Sequence, residues 1–330
     1  MNPPKFWSNP VAKPGWQSLV LAPLAKIYAG ATARRVAQAG YKASVPVMCI
    51  GNINAGGTGK TPTVIAMVQK LQSMGKTVHV VSRGYGGKLT GPVRVIEGTH
   101  RAHDVGDEPL LIAAFAPTWV AKDRALGVQA AEAAGAEVIL LDDGMQNPSV
   151  QKDATFVIVD AHRGFGNGRV MPAGPLREPV DIGLTRGDIV ISIGNPAAQE
   201  RFKRDWGDHI SVPHIQAHLA PLVTGMDWNG LRVMAFAGIG HPEKFFATLE
   251  GLGATLIRKE ALRDHQPLPI ALMKRLEIEA ATLDAQLVTT EKDAVRLPRA
   301  FQTKVLTVPV RMTIEDGAPI DALFAQIGIT

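Results

Sequence analysis

A chain of 330 residues with 46% hydrophobic and 20% charged residues is too apolar for a disordered protein and long enough for more than one core. A single cysteine, Cys49, excludes an internal disulfide and fits a reducing compartment. The net charge of +5 is uneven: residues 1–96 carry twelve Lys or Arg and no acid, and the remainder carries 23 basic against 30 acidic residues. A basic front end points to an anionic partner, and the lack of an arginine-rich or aromatic-interleaved basic run argues against nucleic acid.

In chain order, "GWQSLVLAPLAKIYAGATARRVAQAG" (15–40) comes first. Val20, Leu24, Ile27, Tyr28 and Ala31 follow helical spacing, with Lys26, Arg34 and Arg35 supplying charge. Lys26 interrupts a stretch already too short to span a bilayer. Two readings stand: a basic amphipathic helix lying in a membrane surface, and an ordinary core-packing helix. A cleaved signal peptide fits poorly, because the leader is long and an apparent nucleotide site follows directly.

Strand and helix then alternate. "VPVMCIG" (45–51), "KTVHVVS" (76–82), "EVILLDDG" (137–144), "ATFVIVDA" (154–161) and "GDIVISIG" (187–194) are apolar strands. Residues 61–75, 107–116 and 123–135 are helical. This is an α/β parallel sheet. Residues 213–228 read as an extended linker, and a fresh α/β pattern over 229–330 predicts a second, smaller domain.

"GNINAGGTGKTP" (51–62) lies between a strand and a helix, where a phosphate-binding loop belongs. Asn54 stands where the first glycine of G-x-x-x-x-G-K-[ST] is expected. The loop then runs through Ala55, Gly56, Gly57, Thr58 and Gly59 to Lys60 and Thr61. Backbone N–H groups at a helix N-terminus favour anions. Lys60 would meet the β- and γ-phosphates, and the Thr61 hydroxyl would bind Mg²⁺. Asp142 and Asp143, at the end of "VILLDD", supply the acids that such a site needs for its cation. Ala55 replaces the signature Lys of partitioning-type ATPases, and "TTEKDAV" (289–295) only imitates a guanine-reading element, so adenine is the expected base. Asp107 and Glu108 open a helix and are either capping residues or candidate acid–base groups. His265, beside Asp264, is a further candidate.

Together "GNINAGGTGKTP", "SRGYGG", "GDEPLL", "LDDGMQ", "GFGNGRVMPAGPLREP", "AFAGIGHPEKFF", "RDHQP" and "TTEKDAVRLP" resemble the tetraacyldisaccharide 4′-kinase family over about residues 15–310. The resemblance implies ATP- and Mg²⁺-dependent phosphorylation of the 4′-hydroxyl of a tetraacylated disaccharide 1-phosphate. It implies a peripheral enzyme on the cytoplasmic face of the bacterial inner membrane, held by its N-terminal helix, with no obligate protein partner. Asp107 would be the general base and His265 its partner across an interdomain cleft. Thr61, Asp142, Asp143 and Glu108 would serve the metal. Tyr85, Arg124, Gln146 and Glu178 would support the site, and Arg83 and Arg177 would meet substrate phosphate. The family's second His after "DH" is Gln266 here. The Gly/Pro-rich stretch 164–179 is expected as a fixed loop near the acceptor. Two rivals remain: a nucleotide switch stimulated by a protein or DNA partner, and a cytosolic small-molecule kinase.

Overall fold

The computed structural model describes residues 3–330. The chain begins with α1 (Trp16–Val36), followed by β1 (Val47–Gly51), α2 (Lys60–Ser73), β2 (Val78–Ser82), β3 (Val93–Arg94), α3 (Ala102–Val105) and α4 (Asp107–Ala113). It continues through β4 (Thr118–Val120), α5 (Arg124–Ala133), β5 (Val138–Asp142), β6 (Ala154–Asp160), α6 (Val180–Leu184), β7 (Ile189–Ile193), α7 (Pro196–Trp206) and β8 (His214–Pro221). A second unit holds β9 (Arg232–Ala237), α8 (Pro242–Gly251), β10 (Thr255–Ala261), α9 (Ile270–Thr282), β11 (Gln286–Thr290), α10 (Glu291–Ala294) and β12 (Leu306–Val308). The chain ends in β13 (Val310–Ile314) and α11 (Ala318–Gln326).

The large sheet runs β13-β8-β7-β6-β1-β5-β2-β4-β3. Strands β8 to β4 in that order pair in parallel, and β13 and β3 close the two edges antiparallel. Strands β1, β2, β5, β6 and β7 are buried along their whole length, which is why they read as continuous apolar runs. Alternate residues divide between the two faces. Met48, Ile50, Leu140 and Ile158 pack under Val64, Val68 and Leu71 of α2, with Phe324 of α11. Cys49, Leu141, Val157 and Val190 pack against Val128 of α5 and Phe202 and Trp206 of α7. The order β6-β1-β5 puts β1 at the point where the winding reverses, and ligands of such sheets bind beyond the strand ends there.

The small sheet is parallel, in the order β10-β9-β11-β12. Helix α9 covers one face through Met273 and Leu276, and α8 covers the other through Phe245, Phe246 and Leu249.

The expected boundaries need correcting. The predicted linker 213–228 contains β8, a strand of the large sheet, and residues 310–326 of the predicted second domain return to that sheet as β13 and α11. The smaller unit is therefore an insertion between two adjacent antiparallel strands, with Val310 opposite Pro221. The run "KVLTVPV" (304–310) looks like one strand, but it divides at Pro309 into β12 of one sheet and β13 of the other. Proline has no N–H to continue a ladder, so a break there costs no hydrogen bond.

Helix α1 lies against the large unit along a narrow seam. Ser18, Ala25 and Thr32, seven residues apart, are buried. Leu21 and Tyr28 pack partly against the core beside Ala25, while other large apolar side chains face outward: Trp16 is 71% exposed, Val20 67% and Ile27 70%, with Leu19 and Leu24 beside them. The helix thus packs on the core along one side and leaves an apolar face exposed on the other. Among the described residues, no helix is long and apolar enough to cross a membrane.

Candidate active site

The phosphate loop leaves β1 and enters α2 at Lys60. Gly59 caps that helix with φ +95°, a backbone conformation that is strained for any residue with a Cβ. Asn52 braces the loop from below, its side-chain amide donating to Thr58 Oγ1 at 3.0 Å and to the Gly56 carbonyl at 3.3 Å. Asn54 has no left-handed backbone, so the standard glycine is not needed at that position. Its side chain is buried and donates to the Gly164 carbonyl at 3.0 Å. Ala55 N–H donates to the Pro175 carbonyl, and Arg177 N–H to the Ile53 carbonyl, both at 2.7 Å. The 164–179 stretch is thus strapped to the phosphate loop itself. The same stretch holds α1, because Ser18 Oγ donates to the Ala173 carbonyl at 2.7 Å.

The strand-end acids differ in environment. Asp142 is buried; Ser82 Oγ donates to its Oδ2 at 2.9 Å, while its Oδ1 has no partner. Burial first, then the charges of Glu108 and Asp143, push its pKa up to about 7 against the pull of Lys60 and the Ser82 hydrogen bond. Asp143 has φ +55° and faces Lys60 Nζ at 3.8 Å. Arg177 grips it with two bonds, Nη1 to Oδ1 at 2.8 Å and Nη2 to Oδ2 at 3.1 Å. Burial alone would raise the Asp143 pKa, but Lys60, Arg177 and Arg124 outweigh it and lower it. Arg124, almost wholly buried, donates to the Asp142 and Asp143 carbonyls at 3.3 and 2.9 Å and fixes the strand end. Gln146 joins the Asn52 carbonyl at 2.9 Å to Glu178 Oε1 at 2.8 Å, and Arg186 pairs with the other Glu178 oxygen. Arg177, expected on substrate phosphate, has its guanidinium on Asp143 and Gln146 instead. Arg83 is exposed, and its guanidinium has no hydrogen-bond or ion-pair partner among the described residues.

The second group of residues bridges the two units. Gly106, with φ +90°, lets α4 begin under the Tyr85 carbonyl, where a Cβ would lie 2.6 Å away. That turn buries Asp107, whose Oδ2 lies 2.9 Å from His265 Nδ1 and 3.8 Å from Arg296 Nε. Asp107 Oδ1 accepts the Glu108 N–H at 3.2 Å. Burial works to raise the Asp107 pKa, but the His265 hydrogen bond and the charges of Lys292, His265 and Arg296 bring it below the ordinary value. The same hydrogen bond raises the His265 pKa against burial and Lys292. Exposed Tyr85 stands edge-on to His265, ring centres 6.2 Å apart. Glu108, expected with the metal ligands, has its Oε1 3.2 Å from Lys292 Nζ. Among the described residues, no group of three or more His, Cys, Asp or Glu side chains could hold a metal by itself.

Sequence reasoning missed Ser82, Asn52, Lys292, Arg296 and Arg186. Ser82 is the last residue of β2, next to β5 in the sheet, which is a positional signal available only once strand order is known. Lys292 and Arg296 lie in "TTEKDAVRLP", a stretch that carries the family resemblance and only imitates a guanine-reading element, with no site role assigned to either cation.

The family model described as tetraacyldisaccharide-1-P 4′-kinase matches residues 17–327. Proteins named tetraacyldisaccharide 4′-kinase from Dinoroseobacter shibae and a Jannaschia species are each 58% identical to this chain, the first covering 98% of both chains and the second 99%. One of the same name from Rhodospirillum centenum is 45% identical over 99% of this chain and 97% of its own. In fold, the chain is similar to a crystal structure of LpxK from Aquifex aeolicus, described as an "apo" form in complex with ATP, with TM-score 0.77 and 24% identity over 94% of this chain and 99% of that one. The chain belongs to the tetraacyldisaccharide-1-P 4′-kinase family.

Proposed function

We propose that this protein transfers the γ-phosphate of ATP to the 4′-hydroxyl of a tetraacyldisaccharide 1-phosphate, with Asp107 as the general base. The observation that carries the reading is that the Asp107–His265 pair stands near enough to the acids at the phosphate loop for the charge of Glu108, next to Asp107, to act on Asp142, within a chain 58% identical to proteins named for that kinase. Lys60, now 3.8 Å from Asp143, is the cation available to β- and γ-oxygens. The residues suit Mg²⁺: Asp142 Oδ1 is a buried acceptor without a partner, Thr61 lies in the first turn of α2, and among the described residues too few protein ligands gather to hold an ion without phosphate oxygens. Bound there, Mg²⁺ would neutralise charge on the transferring group. Asp107 aligns the acceptor hydroxyl and takes its proton as the O4′–P bond forms and the bond from the γ-phosphorus to the bridging oxygen breaks, leaving ADP. His265 holds the Asp107 carboxylate in place, and the second unit excludes water from the cleft.

The outward apolar face of α1, with exposed Lys26, Arg34 and Arg35, suits a helix lying at an anionic bilayer surface beside a lipid substrate. A peripheral location on the cytoplasmic leaflet follows from that fit and from the need for ATP.

The test is incubation with γ-labelled ATP and a tetraacyldisaccharide 1-phosphate in detergent micelles, followed by mild acid, which cleaves anomeric phosphate. Acid-stable label on the lipid is expected. ATP hydrolysis without labelled lipid would favour a nucleotide switch.

A further inference from the structure

Lys292 has no part in the transfer just described, yet it occupies the junction of the two units. It extends from the first turn of α10, whose neighbour Asp293 is wholly buried and bound to the Gly238 N–H, the Thr290 hydroxyl and Arg296. Lys292 Nζ lies 3.2 Å from Glu108 Oε1 and 3.3 Å from His265 Nε2. An ammonium has donors and no acceptor, so the ring nitrogen facing it must offer its lone pair. A neutral imidazole then carries its proton on Nδ1, where Asp107 Oδ2 accepts it at 2.9 Å. The other tautomer would set an N–H against the ammonium and a lone pair against the carboxylate. Asp264 Oδ1, the competing acceptor near Nε2, is farther away at 3.8 Å. Lys292 Nζ faces the carboxylates of Glu108 at 3.2 Å and, beyond the ring, Asp107, a setting that suits an ammonium.

We infer that Lys292 is a positioning residue for phosphoryl transfer: it fixes the Nδ1–H tautomer of His265 and, through Glu108, ties that ring to the helical turn bearing Asp107. The inference rests on Asp107 being the base. Lys292 adds a donor to the ring from the far side, and a ring held at both nitrogens cannot rotate away from Asp107.

The test joins kinetics to a direct view of the ring. The full chain is labelled with ¹⁵N-histidine, and His265 is assigned among the nine histidines by its loss in His265→Gln. Wild type is expected to show the Nδ1–H tautomer. Lys292→Met is expected to show mixed tautomers and to lose about 10- to 100-fold in kcat, with KM for ATP within about twofold. Lys292→Arg, which keeps a charged donor, is expected to restore the tautomer and most of kcat. Should the unpaired Glu108 charge unfold Lys292→Met, Glu108→Gln/Lys292→Met removes that charge and is expected to show the same loss. Wild-type kcat without Lys292, or a loss of kcat with the Nδ1–H tautomer intact, would overturn the inference. Asp107→Asn is assayed alongside: transfer surviving there would remove the base assignment, while the His265 spectrum would still report on Lys292.

Discussion

Asp142 shows how a site residue can work against stability. Its folded-state pKa lies near 7, above the ordinary carboxylate value, because burial and two neighbouring acids penalise its charge. A carboxyl whose folded pKa is raised favours folding while protonated, and that advantage is lost as pH climbs from the unfolded value of about 3.9 through 7. Asp142→Asn, which keeps an acceptor for Ser82, is therefore expected to unfold at higher temperature than wild type at pH 8, by about 2–4 kcal/mol in stability. The gap should close toward pH 4, and transfer should be lost. Thermal unfolding of the nucleotide-free protein at the two pH values checks this; equal midpoints at pH 8 would mean that Asp142 carries no strain. The acid pair was legible in sequence because it ends an apolar strand. The division of labour was not: the engagement of Asp143 by Arg177 depends on a residue 34 positions away.

At the scale of elements, the departure from the standard loop pattern at Asn54 proves to be a strap. Its amide reaches the Gly164 carbonyl, and neighbouring backbone bonds fasten the 164–179 stretch to the loop. Asn54→Gly restores the usual motif but removes this bond. It is expected to destabilise the protein by about 1–2 kcal/mol and to raise KM for ATP several-fold; unchanged values in denaturant unfolding and steady-state kinetics would contradict the strap. Helix α1 bonds to the same stretch, so the surface helix and the phosphate loop share one support. The helix was readable from its spacing, but spacing cannot say which face is covered. The structure turns Trp16, Val20, Leu24 and Ile27 outward and buries Ser18, Ala25 and Thr32. Leu24→Glu/Ile27→Glu should lower partition to anionic vesicles at least tenfold, read by sedimentation, with folding intact. Partition equal to wild type would leave the exposed face without its membrane role.

At the scale of the molecule, the smaller unit is an insertion joined by residues 222–231 on one side and Pro309 on the other. Between the two units, among the described residues, ion pairs stand at three places: Lys244 to Asp160 at 3.2 Å, Glu291 to Arg311 at 2.9 Å, and the group of His265 and Arg296 on Asp107 with Lys292 on Glu108. Val295 adds an apolar contact to the cluster of Val105, Leu110 and Val120. The alternation of strands and helices made both parallel sheets legible in sequence. The return of the chain to the first sheet was hidden, because β8, with His214, Gln216 and His218, lacks the apolar run of an inner strand, and β13 follows β12 after a single proline. The His265–Asp107 pairing, 158 residues apart, was suggested by the family resemblance; spacing alone left both residues as separate candidates.

The central claim is that phosphoryl transfer runs through Asp107 held by His265 from the other unit. The most direct measurement is single-turnover transfer of labelled γ-phosphate from ATP to tetraacyldisaccharide 1-phosphate by wild type, Asp107→Ala and His265→Ala, with ATP binding measured in parallel. The structure predicts near-loss of transfer for Asp107→Ala, a fall of about 10- to 100-fold for His265→Ala, and ATP affinity close to wild type in both. Wild-type transfer rates in either variant would contradict it.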